Sequence, residues 1–223
     1  FYTINKSRLI KEPFVFTKDK KTVIATYTDL IFTGLIGNVI TYFDRFMINP
    51  ILGATSVAIF SVASFWGKAV TPFISPIANV MLSYLSQKES KMNIRKYVIL
   101  FMSSVLPLMA FGFIGIWVAP WITGKLYPTL INDAIPYLLI ASIGSLIQSS
   151  TNLLMPVLLS VCSSRMILAL QGTYFVIYLV IAYVGARTGG LMGFCYSTCI
   201  IGAIKTLLFF FVGYYHLGKQ TVK

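Results

Sequence analysis

Residues 97–119 read YVILFMSSVLPLMAFGFIGIWVA, with no charged side chain among them. A helix rises 1.5 Å per residue, so about 20 apolar residues cross ~30 Å of hydrocarbon. Pro107 is no obstacle, because proline is tolerated within transmembrane helices. The stretch is therefore predicted to span a membrane. Runs of the same character recur on either side, at about 25–48, Thr55–Ser86, 131–160, 166–186 and 191–215. Outer-membrane strands are shorter, about ten residues, and alternate in polarity. These runs do neither. The predicted fold class is all-α: a polytopic membrane protein of about six transmembrane helices.

Composition agrees. Hydrophobic residues make up 57% of the chain and charged residues 11%. A soluble domain carries about 25% charged residues, and lipid removes that need. The net charge is +12, from 18 Lys+Arg against 6 Asp+Glu. A basic balance can indicate nucleic acid, but here the cations sit in short clusters between apolar runs, the pattern of membrane orientation. Nucleic acid is not an expected partner.

Three segments are predicted: a basic loop at 1–24, a six-helix lobe at 25–216 and a tail at 217–223. The first carries Lys6, Arg8, Lys11, Lys18, Lys20 and Lys21 against Glu12 and Asp19, with Leu9, Ile10, Phe14, Val15 and Phe16 suited to an anionic leaflet. Phe1 opens no charged leader followed by an apolar core, so no signal peptide is expected, and the chain is expected to be a fragment or truncated frame. The 55–86 span is longer than a bilayer needs, so it should tilt, project or bend, with Pro72 and Pro76 as bend points. Asn49–Gly53 and Arg187–Gly190 are predicted turns.

Alternate loops lie on one side of a membrane. One side collects six cations from 5–24, four from 87–96, Arg165, and Lys219 and Lys223 from the tail, thirteen in all. The other collects Arg45, Lys125 and Arg187. Thirteen against three places the N-terminal segment and the C-terminus in the cytoplasm, in a multi-pass protein of the cell membrane. Lys68 and Lys205 complete the 18 and lie inside spans.

Ionisable groups within a membrane usually face a cavity or a partner. Lys68 heads a stripe at helical spacing: Ser61, Ser64, Lys68, Thr71 or Pro72, Ser75 and Asn79. Pro72 also leaves the Lys68 carbonyl without its helical donor. The stripe reads as a water-filled cavity wall with a cation poised for an anion. The alternative is a snorkelling lysine with serines that allow close helix packing, and the mid-span position argues against snorkelling. The first span carries Gly34, Asn38, Thr41 or Tyr42, Arg45 and Asn49. Arg45 either faces the cavity, where its fork suits phosphate, or joins Asp44 as an interfacial anchor and structural ion pair with a neighbouring helix. Lys205 is near mid-depth beside Ser197, Thr198 and Ile201. The fourth span offers Ser142, Ser145, Gln148, Ser149 and Asn152. The fifth offers Gln171, Tyr174 and Tyr178, which pack or, in a sugar site, stack and hydrogen-bond. The candidate substrate-binding residues are Lys68, Arg45, Lys205, Asn38, Ser64, Asn79, Gln148 and Asn152.

No catalytic or cofactor pattern is present. Asp29, Asp44 and Asp133 form no pair at helical spacing, and no phosphate-binding glycine loop exists. Cys162, Cys195 and Cys199 form no Cys-x-x-Cys motif, and His216 is the single histidine, so neither a metal nor another cofactor is expected. A carrier is expected rather than an enzyme.

Tyr42-Phe43-Asp44-Arg45-Phe46-Met47-Ile48-Asn49, then Ile51-Leu52-Gly53, then Val57-Ala58-Ile59-Phe60-Ser61-Val62-Ala63, resembles a stretch of the polysaccharide-biosynthesis flippases. These form the O-antigen and exopolysaccharide branch of the multidrug/oligosaccharidyl-lipid/polysaccharide exporter superfamily. Their pattern is Asp-Arg-apolar…Leu-Gly…Val-Gly-x-Tyr-Ser-x-Ala. The chain departs from it at Ala58 and Phe60, where the family often has Gly and Tyr. Gly189-Gly190-Leu191-Met192-Gly193-Phe194 is similar to the family's entry to the last helix of a lobe, and the spacing of the spans agrees across nearly the whole chain. The resemblance implies the C-terminal lobe of a two-lobe transporter working by alternating access. Its cargo would be an undecaprenyl-pyrophosphate-linked oligosaccharide for O-antigen, lipopolysaccharide, capsule or exopolysaccharide. Its partners would be membrane lipids, the N-terminal lobe of the same protein and polysaccharide polymerase machinery. A multidrug or cation exporter of the same superfamily, an inactive truncated fragment or scaffold, and a membrane glycosyltransferase or polymerase are the competing expectations. More candidate cavity cations than buried acids disfavours the exporter, and short, bland outer loops disfavour the enzyme.

Overall fold

The computed structural model describes residues 20–85 and 93–221. Much of the predicted basic segment, most of the 87–96 loop and the end of the tail lie outside them. Every element among the described residues is a helix. In chain order these are α1 (Lys20–Leu52), α2 (Ala54–Ala63), α3 (Phe65–Ala69), α4 (Thr71–Leu85), α5 (Ile94–Leu126), α6 (Ile131–Val161) and α7 (Ser164–Thr221). Four helices are long and apolar enough to cross a membrane, and the bent pair α2 with α3–α4 raises the number to five. These long apolar helices point to a membrane protein.

The turns follow backbone chemistry. Gly53, at φ 85°, ends α1 and starts α2, and Gly190, at φ 57°, reverses α7. Both values favour glycine, which has no Cβ to clash. The predicted Arg187–Gly190 turn thus contracts to Gly190, and Arg187 to Gly189 remain helical. The two arms of α7 then run back along each other. A Cβ on Gly193 would stand 2.3 Å from the Gly185 carbonyl oxygen, so only glycine permits this approach.

The bend in the second span differs from expectation. It measures 56° and falls at Ser64, not at a proline. Pro76 lies inside α4, and Pro72 lies in its first turn, where a missing N–H costs little. The break is held from outside. The Ser142 hydroxyl on α6 donates to the Ala63 carbonyl oxygen at 3.0 Å. A freed carbonyl in hydrocarbon needs such a partner. Gly67 lets α3 sit directly on α6, since a Cβ there would meet the Ser142 carbonyl oxygen at 2.3 Å. A second, smaller break at Val70 sits just before Pro72.

α6 is the central post, packed against α2, α3, α4, α5 and α7. Its interfaces use small side chains, as expected where lipid removes the hydrophobic drive between helices. Gly144 abuts Thr198, and the Ser150 hydroxyl lies 3.4 Å from that of Thr206. One apolar core joins α1, α2, α6 and α7 through Ile40, Phe60, Ala141, Tyr178 and Phe194. A second joins α5, α6 and both arms of α7 through Tyr97, Leu154, Ile167 and Phe209. Trp66 stacks on Phe111 with centroids 4.5 Å apart, in room left by Gly115. The outer faces of α1 and α5 expose Phe32, Leu35, Phe113 and Trp117.

Candidate functional site

A cavity of about 510 Å³ lies between α1, α4, α6 and the two arms of α7. Gly34, Gly37, Asn38 and Thr41 of α1 form one wall. Thr71 and Ser75 of α4, with Lys68 of α3, form another. Ser145, Gln148, Ser149 and Asn152 of α6 form the back, and Gln171 and Lys205 of α7 close the side. Four helices therefore turn polar faces to one space, and the lipid-facing sides stay apolar.

The hydroxyls are mostly committed. Thr41 donates to the Gly37 carbonyl oxygen, Ser75 to that of Thr71, and Ser149 to that of Ser145. Such bonds to the preceding turn cover hydroxyls in apolar surroundings. The side-chain amides of Asn38, Gln148 and Asn152 have no hydrogen-bond partner among the described residues, which leaves them for a cavity occupant.

The two cavity lysines differ. Lys68 pairs with Asp44 of α1, the sole ion pair among the described residues. The Asp44 side chain is buried, and its other oxygen accepts the Arg45 backbone N–H at 2.8 Å. The Lys68 ammonium also lies 5.6 Å from the Phe60 ring centre. Its charge is matched in place. Lys205 has no carboxylate within ion-pair distance among the described residues. Its ammonium sits over Tyr174 at 5.1 Å and Phe209 at 5.7 Å.

Five of the eight candidate residues come together here: Lys68, Lys205, Asn38, Gln148 and Asn152. Three do not. Arg45 borders a separate recess of about 370 Å³ with Phe46, Asn49, Ala54 and Val57. Ser64 is fully buried at the bend, with its hydroxyl 3.5 Å from the Ser61 carbonyl oxygen. Asn79 is exposed on α4, away from the lining. The bend explains the loss of Ser64, which it buries, whereas Asn79 lies one turn beyond Ser75, the last lining residue of α4. Of Asp44 and Arg45, only Asp44 makes the ion pair with a neighbouring helix.

Sequence reasoning left Asp44 out of the cavity's electrostatics. The signal that could have found it is an intramembrane acid on one span and an intramembrane base on the next, both within about fifteen residues of the shared Gly53 turn. Gln171 was visible in its stripe, but nothing in the stripe separated a cavity residue from a packing one. Among the described residues, no group of three or more His, Cys, Asp or Glu is placed to hold a metal ion. Comparison of the chain with protein-family models, curated proteins and solved structures gives no match.

Proposed function

We propose that the chain is one lobe of a membrane flippase that moves a lipid-linked oligosaccharide, carried on a pyrophosphate, across the cell membrane for surface polysaccharide synthesis. The observation that carries this reading is the cavity: a polar space among apolar helices, lined by amides and a lysine that have no partner among the described residues. A charged headgroup cannot cross hydrocarbon unaided. Amides and a cation replace its water, while a polyprenyl tail stays in lipid beside the cleft. In this reading the two arms of α7 are separate crossings, which makes six. The basic loops face the cytoplasm, and a second lobe of the same protein completes the cavity. The loose motif resemblance around Asp44 and Arg45 supports the same assignment.

Asp44 is the observation on the side of a cation exporter, which needs a carboxylate in its cavity. Lys68 already neutralises it, so it offers no charge to a cationic drug.

The test is surface polysaccharide in a strain lacking the full-length gene. Deletion should abolish surface polymer and accumulate lipid-linked repeat units inside the cell. The wild-type gene should restore polymer, and Lys205→Met, expressed at equal level, should not. Normal surface polymer after deletion would overturn the reading.

A further inference from the structure

We infer that Lys205 of the second arm of α7, with Gln171 of the first arm, forms a subsite for a hydroxylated anion, meaning a ligand group that carries a negative charge and hydroxyl donors together. This rests on the reading of the cavity as a polar headgroup site and names what one wall of it recognises.

Two independent features converge. Lys205 lines the cavity and has no carboxylate partner among the described residues. A lysine ammonium has three donors and no acceptor, and the rings of Tyr174 and Phe209 supply only the weaker attraction of their faces. Gln171 also lines the cavity, is 6% exposed, and its Oε1 has no donor. Buried polar atoms are rarely left so. The last torsion of a glutamine is soft, so the Gln171 amide can turn its oxygen to a ligand.

The donor and acceptor account selects the ligand. Sulfate, which carries no proton near neutral pH, pairs with Lys205 but brings no donor to Gln171. An uncharged sugar satisfies Gln171 and leaves Lys205 bare. A group with both features, such as a uronate or a sugar bearing a phosphate, satisfies both. Lys68 does not compete for this role, because Asp44 holds it.

The test uses the full-length protein in lipid nanodiscs, with glucuronate, glucose and sulfate as probes at matched ionic strength. The readout is saturable elevation of the thermal unfolding midpoint, which follows ligand occupancy. Glucuronate should bind at least about tenfold more tightly than glucose or sulfate, since a site built for a polar group rejects analogues lacking it. Lys205→Met should weaken glucuronate about tenfold or more and Gln171→Leu about threefold or more, while Lys205→Arg stays within about threefold of wild type, by the same reasoning. Lys205→Arg also serves as the folded control. Sulfate binding as tightly as glucuronate, unchanged binding by Lys205→Met, or no stabilisation of the wild type by glucuronate would each overturn the subsite. If glucuronate fails while polymer export still requires Lys205, the subsite falls and the flippase stands. If glucuronate binds as expected while deletion leaves surface polymer intact, the reverse holds.

Discussion

Replacing Gly67 with alanine tests how the bent second span is seated. The added Cβ would stand 2.3 Å from the Ser142 carbonyl oxygen and 2.8 Å from the Ser145 Cβ. Carbon contacts settle near 3.5–4.0 Å, so α3 must move back from α6 by about 1 Å. The obstacle is backbone, and no rotamer change relieves it. Overpacking of this kind costs about 1–3 kcal/mol. The same shift strains the Ser142 bond to the Ala63 carbonyl, of a type worth about 0.6 kcal/mol on average in membrane helices. Alanine in place of glycine returns about 0.5–1 kcal/mol of helix propensity. The net expectation is destabilisation by about 1–2 kcal/mol. Gly172→Ala is the internal control, because nothing lies within 4 Å of a Cβ there, and it should be neutral or mildly stabilising. The assay is equilibrium unfolding of the purified protein in mixed micelles, both variants beside the wild type. If Gly67→Ala were as stable as Gly172→Ala, α3 would not rest on α6 and the seat of the bend would be wrong.

Four further outcomes follow from the same contacts. Ser142→Ala leaves the Ala63 carbonyl without its donor and should cost about 1 kcal/mol in the same assay; no loss would show that the break needs no outside partner. Asp44→Asn and Lys68→Gln should each cost about 1 kcal/mol, kept small because the Lys68 side chain is 38% exposed, and the double variant should cost clearly less than their sum; strict additivity would refute the pair. Gly190→Ala forces a side chain onto φ 57° and ψ −144°, so it should destabilise by about 1–3 kcal/mol and lower the folded yield on size-exclusion chromatography, whereas an unaltered yield and midpoint would refute the strained reversal. Burial raises the Cys162 thiol above its ordinary value, so less thiolate is present at neutral pH, and maleimide labelling of its peptide, followed by mass spectrometry, should keep rising through pH 9; a plateau below that pH would contradict the burial.

The span boundaries were legible because bilayer thickness sets them. The predicted 131–160 run became Ile131–Val161, and the 166–186 and 191–215 runs became the arms either side of Gly190. An apolar run must be long enough to cross, and charges mark its ends, so local sequence carries the signal. The 97–119 run understated its helix, since α5 continues through Pro120 to Leu126. A proline there reads as a stop, yet neighbouring helices make it tolerable. The bend was illegible for the converse reason. Pro72 and Pro76 are conspicuous in the sequence, but Ser64 is where the helix turns, and the group that stabilises the turn is Ser142, on another helix. No local pattern names a partner so far along the chain.

The candidate site shows the same division between what a stripe reveals and what packing decides. Part of each stripe at helical spacing lines the cavity, from four helices, because polar side chains in lipid have few other places to point. Spacing could not rank residues within a stripe. Lys68 and Lys205 looked alike: single cations at mid-span beside small polar neighbours. Packing separates them. Asp44 reaches across from α1 and neutralises Lys68, which joins the wall it came from to the bent span. Lys205 faces aromatic rings, which attract a cation without cancelling its charge. An anion entering the cavity therefore gains more from Lys205, where no resident carboxylate has to be displaced. Under the proposed function, a mutational scan therefore starts at Lys205 rather than at the lysine that heads the longest polar stripe.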